Sequence, residues 1–236
     1  IKSSAASDVY KRQIYYHAMT KTQSELIRPL LILEQVIERL TDEIIKGKIQ
    51  TGSQLVEIDL QKRFGISRTP LREAFRELER LGFVTIIPRR GAFVKKLTRQ
   101  EVIDIYEMRS VLEGLAARLA FKKKKEAFDE LSECMKRMQE AYEKKNQTMF
   151  LKAHDDFHNV WILRSNNPSL IDECLKLRGL TSWHRMFFKF DTVSFSSAIE
   201  VHSKILAGFQ SDQSSAETVE KIVRDNVRSA IDRLKV

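Results

Sequence analysis

A run of helix and turn signals between residues 57 and 97 constrains the fold of this chain more than any other stretch. Glu57–Phe64 has the length and apolar spacing of a short helix, and Gly65 can end it in the left-handed conformation. A second helix is predicted to open at Thr69-Pro70, with threonine as the cap and proline as the first helical residue, and to run to Leu81. Two helices joined by such a sharp turn are typical of a helix-turn-helix.

The flanking segments complete a larger unit. Upstream, Leu30–Lys46 carries apolar residues at helical spacing. Downstream, Phe83–Ile87 and Ala92–Lys96 alternate like strands on either side of Pro88-Arg-Arg-Gly91, which predicts a β-hairpin. Three helices and a two-stranded wing make residues 26–97 a predicted winged helix-turn-helix DNA-binding domain.

The distribution of charge supports a nucleic-acid partner. The chain has a formal net charge of +9, and residues 62–96 alone contain ten Lys/Arg against three Asp/Glu. Arg68 and Arg72 lie four residues apart, so they project from one side of their helix, where a guanidinium can bond a guanine edge or clamp a phosphate. The predicted DNA contacts are Arg68, Thr69, Arg72, Arg76, Arg89, Arg90 and Gly91. For Arg76 and Arg80, ion pairs on a solvated helix face are the alternative.

The remainder of the chain is predicted to be helical. Apolar stripes at helical spacing run through six segments, separated by polar or proline-containing breaks. The stripes cover Val102–Ala120, Ala127–Tyr142, Thr148–Leu163, Ser169–Phe190, Ala198–Phe209 and Ala216–Leu234. The expected fold is therefore mostly α, with residues 98–236 forming an antiparallel bundle of six or seven helices.

Other features narrow the class of protein. Cys134 and Cys174 give neither a disulfide framework nor a zinc-knuckle spacing, so we expect reduced thiols in a cytoplasmic bacterial protein. No signal-peptide pattern is present, and no apolar run reaches the ~18 residues of a membrane helix. Residues 1–25 are predicted to be a disordered or artefactual extension. Ile1–Gln13 has no structural period, and Met19 is a candidate start.

The helix-turn-helix segment resembles the winged helix of the GntR family of regulators. The block Ser67-Arg-Thr-Pro-Leu-Arg-Glu-Ala74 carries the resemblance, followed in order by Leu78-Glu-Arg-Leu-Gly-Phe-Val84 and Arg90-Gly-Ala-Phe-Val94. The resemblance implies that Arg68 and Arg72 contact bases or phosphates and that Gly91 lies in the wing. Gln61 departs from the family, which usually has alanine there.

The helical half resembles the FCD-type effector domain of the FadR-like branch of that family. The matching stretches include Tyr106-Glu-Met-Arg109, His154-Asp-Asp-Phe-His158, Asn167-Pro-Ser-Leu170 and Glu200-Val-His202. Family members with a metal site use one Asp and three His. Here His154 replaces the Asp, and Asn226 stands where the last His aligns.

The resemblance therefore implies a divalent metal, zinc or nickel, held by His154, His158 and His202. Two alternatives stay open: the histidines line a hydrated cavity without metal, or Asp155 supplies a carboxylate ligand. The resemblance also implies that Arg109 pairs with an effector carboxylate, with Asn226 as a hydrogen-bond partner. A structural salt bridge from Arg109 to Glu107 or Glu113 is the alternative. An aromatic group is interpreted as core or pocket lining: Trp183, His184, Phe187 and Phe188.

These features together predict a ligand-responsive transcription regulator and not an enzyme. The expected form is a homodimer on a near-palindromic double-stranded operator, acting as a repressor that a small carboxylic-acid metabolite releases. One alternative is a degenerate DNA binder that no longer responds to a ligand. A more remote alternative is a metal-dependent enzyme, although the chain has neither an HExxH motif nor a nucleophile elbow.

Overall fold

The computed structural model describes residues 28–187 and 192–232, with side chains placed within 32–181 and 195–232. These residues form two compact units. One holds the described residues up to Leu97 together with Gly179–Phe187. The other holds Thr98–Arg178 together with the described residues from 192 onward. The predicted extension over residues 1–25 lies outside the described residues, as do the side chains of Trp183, His184, Phe187 and Phe188.

Three helices form most of the first unit: α1 (Arg28–Ile45), α2 (Glu57–Phe64) and α3 (Arg68–Arg80). Helix α3 packs against both α1 and α2, and their apolar faces share one core. The buried members of that core include Leu40, Ile44, Leu60, Leu71, Phe75 and Leu78. Gly65 ends α2 with a φ of 65°, which confirms the predicted turn.

Helix α3 begins two residues earlier than the sequence predicted, at Arg68 instead of Pro70. Arg68 is its first residue and Ser67 precedes it in an extended conformation, so the predicted cap at Thr69 is wrong. Proline is tolerated throughout the first turn of a helix, because the N–H it lacks has no partner there. Pro70 therefore marks the start of the helix without fixing its first residue.

A three-stranded antiparallel sheet completes the first unit. Its strands are β1 (Gln54–Leu55), β2 (Val84–Ile87) and β3 (Gly91–Val94), in the order β1-β3-β2. The hairpin of β2 and β3 was predicted, whereas β1 was not, so the wing has one strand more than the two expected. A strand of two residues is too short to show the alternation by which strands are recognised.

Six described helices lie wholly or partly in the second unit, in agreement with the predicted bundle of six or seven. They are α4 (Arg99–Ala120), α5 (Lys124–Glu143), α6 (Gln147–Arg164), α7 (Pro168–Phe187), α8 (Thr192–Gln210) and α9 (Ala216–Arg228), with a 3₁₀ turn at Phe121–Lys123. One of them, α7, continues past Arg178 into the residues grouped with the first unit. Local signals fix where several helices begin. Thr98 and Glu101 form a reciprocal capping box at α4, and the side chains of Asn146 and Ser215 cap α6 and α9.

Helices α4 and α9, the first and last of the six, pack closely against each other. Gly114 of α4 makes the approach feasible, because a Cβ there would lie 2.2 Å from Cγ of Arg224 and 3.2 Å from the carbonyl oxygen of Glu220. Helix α6 lies against α4 and α5 and contributes the buried Phe150, Phe157 and Trp161. Within the described part of the chain, no helix is long and apolar enough to cross a membrane.

Candidate DNA interface and effector site

The first two turns of α3 present arginines to solvent from one face and bury the other. The side chains of Arg68 and Arg72 are 63% and 52% exposed. Leu71, Phe75 and Leu78 lie on the opposite face, in the core. The helix is therefore anchored by its apolar side while the guanidinium groups stay available to a ligand outside the fold.

A groove lies between the start of α3 and the wing. It is lined by most of the residues predicted to contact DNA: Arg68, Arg72, Arg76, Arg89, Arg90 and Gly91. Thr69 is exposed on α3 but does not line this groove. Six of the seven residues predicted to contact DNA therefore line one concave, strongly basic surface, which is suited to binding a phosphate backbone.

The backbone at the tip of the wing is held in a tight turn. Gly91 has a φ of 100° and Arg89 a φ of 61°, values that favour glycine and that few other residues adopt. The Nε2 amide of Gln54 on β1 donates a hydrogen bond of 2.8 Å to the carbonyl oxygen of Arg90. The extra strand therefore supports the turn from which Arg89 and Arg90 project.

The ion-pair alternative applies at the far end of α3. Arg80 donates from Nε and Nη2 to the two oxygens of Glu77, at 2.9 and 2.5 Å. Arg80 thus fits the solvated-face interpretation that the sequence left open. Arg76 lines the groove instead, with Arg68 and Arg72.

In the second unit, three histidines come together from two helices. His154 and His158 lie four residues apart on α6, and His202 lies on α8. One ring nitrogen of each lies within 4.8 Å of the others. His158 and His202 are buried, and His154 is half-buried. The residue types and spacing suit a transition-metal ion, since imidazole is a preferred ligand of zinc and nickel.

The hydrogen bonds of these histidines determine which nitrogens carry protons. Nδ1 of His202 lies 2.6 Å from the carbonyl oxygen of Ala198, and a carbonyl can only accept, so this nitrogen is protonated. Nδ1 of His158 lies 3.1 Å from Oε2 of Glu113, whose carboxylate also accepts from Arg109 and Arg178, so this nitrogen is assigned as a donor as well. Both Nε2 atoms therefore carry lone pairs, and they face each other across 3.1 Å.

Protonation of His158 is an unfavourable way to relieve this repulsion. Burial depresses the pKa of His158 well below its usual value, and the positive charge of Arg178 depresses it further. A proton on Nε2 of His202, donated to Nε2 of His158, and a metal cation bound by both nitrogens are the other two ways to relieve it. Both Nε2 atoms can reach one ion at the ~2.0–2.1 Å of a zinc–imidazole bond. Their Nδ1–H bonds to a carboxylate and a backbone carbonyl match the outer partners of metal-bound histidines.

A buried carboxylate–arginine network adjoins the histidines. Glu113 is fully buried, and its Oε1 accepts from Nε and Nη2 of Arg109, at 2.8 and 2.7 Å. Its Oε2 accepts from Nη1 of Arg178 at 3.4 Å, and Nη2 of Arg178 donates to Oδ1 of Asp155 at 3.0 Å. The salt bridge from Arg109 to Glu113, which the sequence analysis gave as an alternative role for this arginine, is therefore present. Asp155 lies in the network, with its Oδ1 3.9 Å from Nδ1 of His154.

Arg178 is the residue of this site that sequence reasoning missed. It is 5% exposed, on α7, next to apolar neighbours. The signal that could have identified it is an arginine within the apolar stripe of a helix, since arginine is almost never fully buried unless it is paired.

Asn226 is buried on α9. Among the residues that the structure describes, its side chain takes part in none of the hydrogen bonds that join the histidines, Glu113 and the arginines. Its role toward an effector therefore stays a prediction.

Among the described residues, neither cysteine belongs to the histidine cluster. Cys134 and Cys174 are buried and free of disulfides. Burial, together with the charge of Glu113, raises the pKa of Cys174 to about 12. Because the thiolate is the form that binds metal, the raised pKa disfavours Cys174 as a metal ligand.

Replacing Glu113 with alanine is expected to destabilise the fold by about 3–5 kcal/mol, because Arg109 and Arg178 would stay buried without their shared carboxylate. Glu107→Ala is the matched control. Glu107 is 56% exposed and lies 3.9 Å from Arg228, a surface pair worth less than about 1 kcal/mol. Urea unfolding monitored by circular dichroism measures both. Equal changes in the two variants would contradict a supporting role for Glu113.

Comparison with known proteins agrees with this arrangement. Residues 32–94 match the family described as bacterial regulatory proteins, gntR family, and residues 104–227, just over half of the chain, match the FCD domain. The protein belongs to the GntR family. As a member with an FCD domain, it is a ligand-responsive DNA-binding transcription regulator, as the sequence predicted.

Curated relatives of this GntR-family regulator are themselves regulators. It is 31% identical over 153 residues to a probable D-xylose utilization operon transcriptional repressor of Paenarthrobacter nicotinovorans, an alignment that covers 65% of this chain and 67% of that protein. It is 25% identical over 179 residues to the transcriptional regulator McbR of Escherichia coli, covering 75% and 81%. These names describe the relatives, and they establish the family without identifying a ligand for this chain.

Solved structures support the fold of this GntR-family chain. E. coli McbR/YncC matches with a TM-score of 0.71 at 23% identity, over 86% of this chain and 96% of that one. A putative GntR regulator from Rhodococcus sp. RHA1 matches with a TM-score of 0.66 at 21% identity, over 85% and 96%. Both likenesses bear on the fold alone.

Proposed function

We propose that this regulator acts as a homodimeric repressor whose helical unit holds a divalent metal and is released from its operator by a small carboxylic acid. The observation that carries the proposal is the close approach of the Nε2 atoms of His158 and His202, 3.1 Å apart in the protein interior, with Nδ1 of each ring next to an oxygen acceptor. One metal ion would satisfy the lone pairs of both nitrogens. Zinc or nickel would be held by His154, His158 and His202, leaving open positions for a ligand.

The DNA contacts are proposed to come from α3 and the wing. Arg68 and Arg72 would read bases, since their exposed guanidinium groups lie at the end of α3 that enters the major groove in helix-turn-helix proteins. Thr69 and Arg76 would contact the backbone or a base edge nearby. Arg89, Arg90 and Gly91 would reach the adjacent backbone or minor groove from the wing.

The class of effector follows from the balance of charge at the histidines. The guanidinium groups of Arg109 and Arg178 balance the carboxylates of Glu113 and Asp155, and burial holds the pKa of His158 well below its usual value. A divalent ion would leave this buried site with excess positive charge, which an anionic ligand offsets. A carboxylic acid that also coordinates the metal fits best. Arg109, Arg178 and Asn226 are the proposed side chains around it.

The same arrangement favours binding over catalysis. When bound, the metal would supply a Lewis-acidic anchor for the carboxylate. Hydrolysis would in addition need a carboxylate able to accept a proton from water. Glu113 is fully buried and accepts hydrogen bonds from Arg109, His158 and Arg178, and Asp155 accepts one from Nη2 of Arg178, so both carboxylates beside the histidines are already engaged.

Dimerisation would double the few base contacts that one winged helix can make. An effector that binds one packing of the helical unit more tightly than another would then shift operator affinity. Selection of DNA from a random duplex library with the full chain tests this proposal. We expect a near-palindromic motif that binds two chains, counted by analytical ultracentrifugation. An asymmetric motif bound by a single chain would contradict it.

A further inference from the structure

One acidic side chain lies within the basic groove of the first unit. Glu57, in the first turn of α2, is 22% exposed and bonds both candidate base-reading arginines. Its Oε2 accepts from Nε of Arg68 at 2.6 Å, and its Oε1 accepts from Nε of Arg72 at 2.8 Å. A single carboxylate thus bridges two arginines that stand one helical turn apart.

The use of Nε in both contacts has a geometric consequence. Each bond fixes the plane of a guanidinium at the end of a long, flexible side chain, and it does not occupy the terminal amino groups. Those amino groups can form a two-pronged contact with O6 and N7 of guanine. Arginines held in place before DNA arrives need less ordering when they bind.

Neither affinity nor stability accounts well for an acid at this position. A negative charge in the groove opposes the phosphate backbone, and phosphate contacts supply most non-specific binding. Exposed ion pairs contribute little to folding. Partial burial alone would raise the pKa of Glu57, but the hydrogen bonds from Arg72 and Arg68 outweigh it and lower that pKa. Glu57 therefore remains a carboxylate at neutral pH. Orientation of the two arginines is the remaining effect.

We infer that Glu57 is a positioning residue that sets the base selectivity of Arg68 and Arg72 at the expense of general affinity for DNA. The inference rests on the proposed function, in which these two arginines contact the operator. It predicts that loss of Glu57 moves the affinity for unrelated DNA and the preference for the operator in opposite directions. Affinity for unrelated DNA rises because a negative charge is lost, and the preference for the operator falls because the guanidinium groups are no longer aligned.

The test compares Kd values for two duplexes at fixed salt by fluorescence anisotropy. One is the sequence that the wild-type full chain selects from a random library, and the other is a scrambled version of it. Glu57→Gln removes the charge, and its single acceptor oxygen cannot bridge both arginines. Asp59→Asn is the matched control, because Asp59 is exposed in the same turn of α2 and loses the same charge.

We expect Glu57→Gln to reduce the operator-to-scrambled ratio by about tenfold, the size of one good bidentate base contact. Asp59→Asn is expected to leave that ratio within about twofold of wild type. Glu57→Asp keeps the charge but is too short to bridge both arginines, so it should also lower the ratio. Melting temperatures of all variants check that each one folds.

Two results would overturn the inference. One is an unchanged ratio in both Glu57→Gln and Glu57→Asp. The other is an equal gain in affinity for both duplexes in Glu57→Gln, which would make Glu57 a simple electrostatic brake. The Arg68→Ala/Arg72→Ala variant, measured in the same way, distinguishes failure of this inference from failure of the proposed function. If that variant keeps the wild-type ratio, the arginines are not the base readers, whatever the role of Glu57.

Discussion

Replacing Arg68 and Arg72 together with alanine is expected to weaken operator binding by about a hundredfold or more and to leave the fold intact. Each well-formed arginine–base contact is worth roughly 1–3 kcal/mol, and a dimer would lose both contacts in each half-site. Both side chains are more than half exposed, so their removal leaves no cavity. Fluorescence anisotropy with the selected operator measures the loss, at one fixed salt concentration because affinity for DNA depends steeply on salt.

A second double variant separates base contact from loss of charge. Arg39→Ala/Arg80→Ala removes the same formal charge from the first unit. These arginines are exposed too, and they pair with Glu43 and Glu77 on their own helices. The control is expected to lose no more than about tenfold, through weaker general attraction to phosphates. Equal losses in the two double variants would contradict a specific role for the start of α3.

Zinc is expected to stabilise the metal-free protein strongly. At a free zinc concentration of about 100 Kd, one site adds about 2.7 kcal/mol to the free energy of unfolding. For a protein of this size, that corresponds to a rise in Tm of roughly 5–11 °C. Chelator-treated protein without a His tag, followed by differential scanning fluorimetry with and without zinc, measures the increment.

The His158→Ala/His202→Ala variant is expected to lose this increment entirely. Both residues are buried, so the metal-free variant will melt below metal-free wild type, and the gain on zinc addition is therefore the informative quantity. Magnesium is the chemical control, because it prefers oxygen ligands and should give no comparable gain. A full zinc increment in the double variant would place the metal elsewhere, and none in wild type would leave the histidines as pocket lining.

How much the sequence could predict depended on the distance between interacting residues. The turn at Gly65, the hairpin of β2 and β3, and the pair His154 and His158 are encoded by neighbouring residues, and all were predictable. Strand β1 was missed, because two residues show no period and their pairing with β3 depends on a segment nearly forty residues away. A helical period likewise shows which residues share one face of a helix, but it does not show which other element packs against that face.

The charged contacts show the same limit. Glu57 was predicted to begin a helix, yet its bonds to Arg68 and Arg72 bridge 11 and 15 residues. Arg178 escaped prediction because its partners, Glu113 and Asp155, lie 65 and 23 residues away. The family resemblance grouped His202 with the α6 histidines and pointed to Arg109. Glu113 was named as a possible partner of Arg109, but its bond to His158, which links Arg109 to the histidines, appeared only with the fold.

The central claim is that the histidine–arginine site of the helical unit controls DNA binding by the winged helix. Its most direct test begins with the carboxylic acid that most raises the Tm of zinc-loaded protein, chosen from propionate, lactate and malate as a simple acid, a hydroxy acid and a dicarboxylate. The measurement is the operator Kd with and without that acid at saturation. We predict at least a fivefold weakening in wild type, the lower range of allosteric coupling, and no change in His158→Ala/His202→Ala. An acid that stabilises the protein but leaves the operator Kd unchanged would contradict the claim.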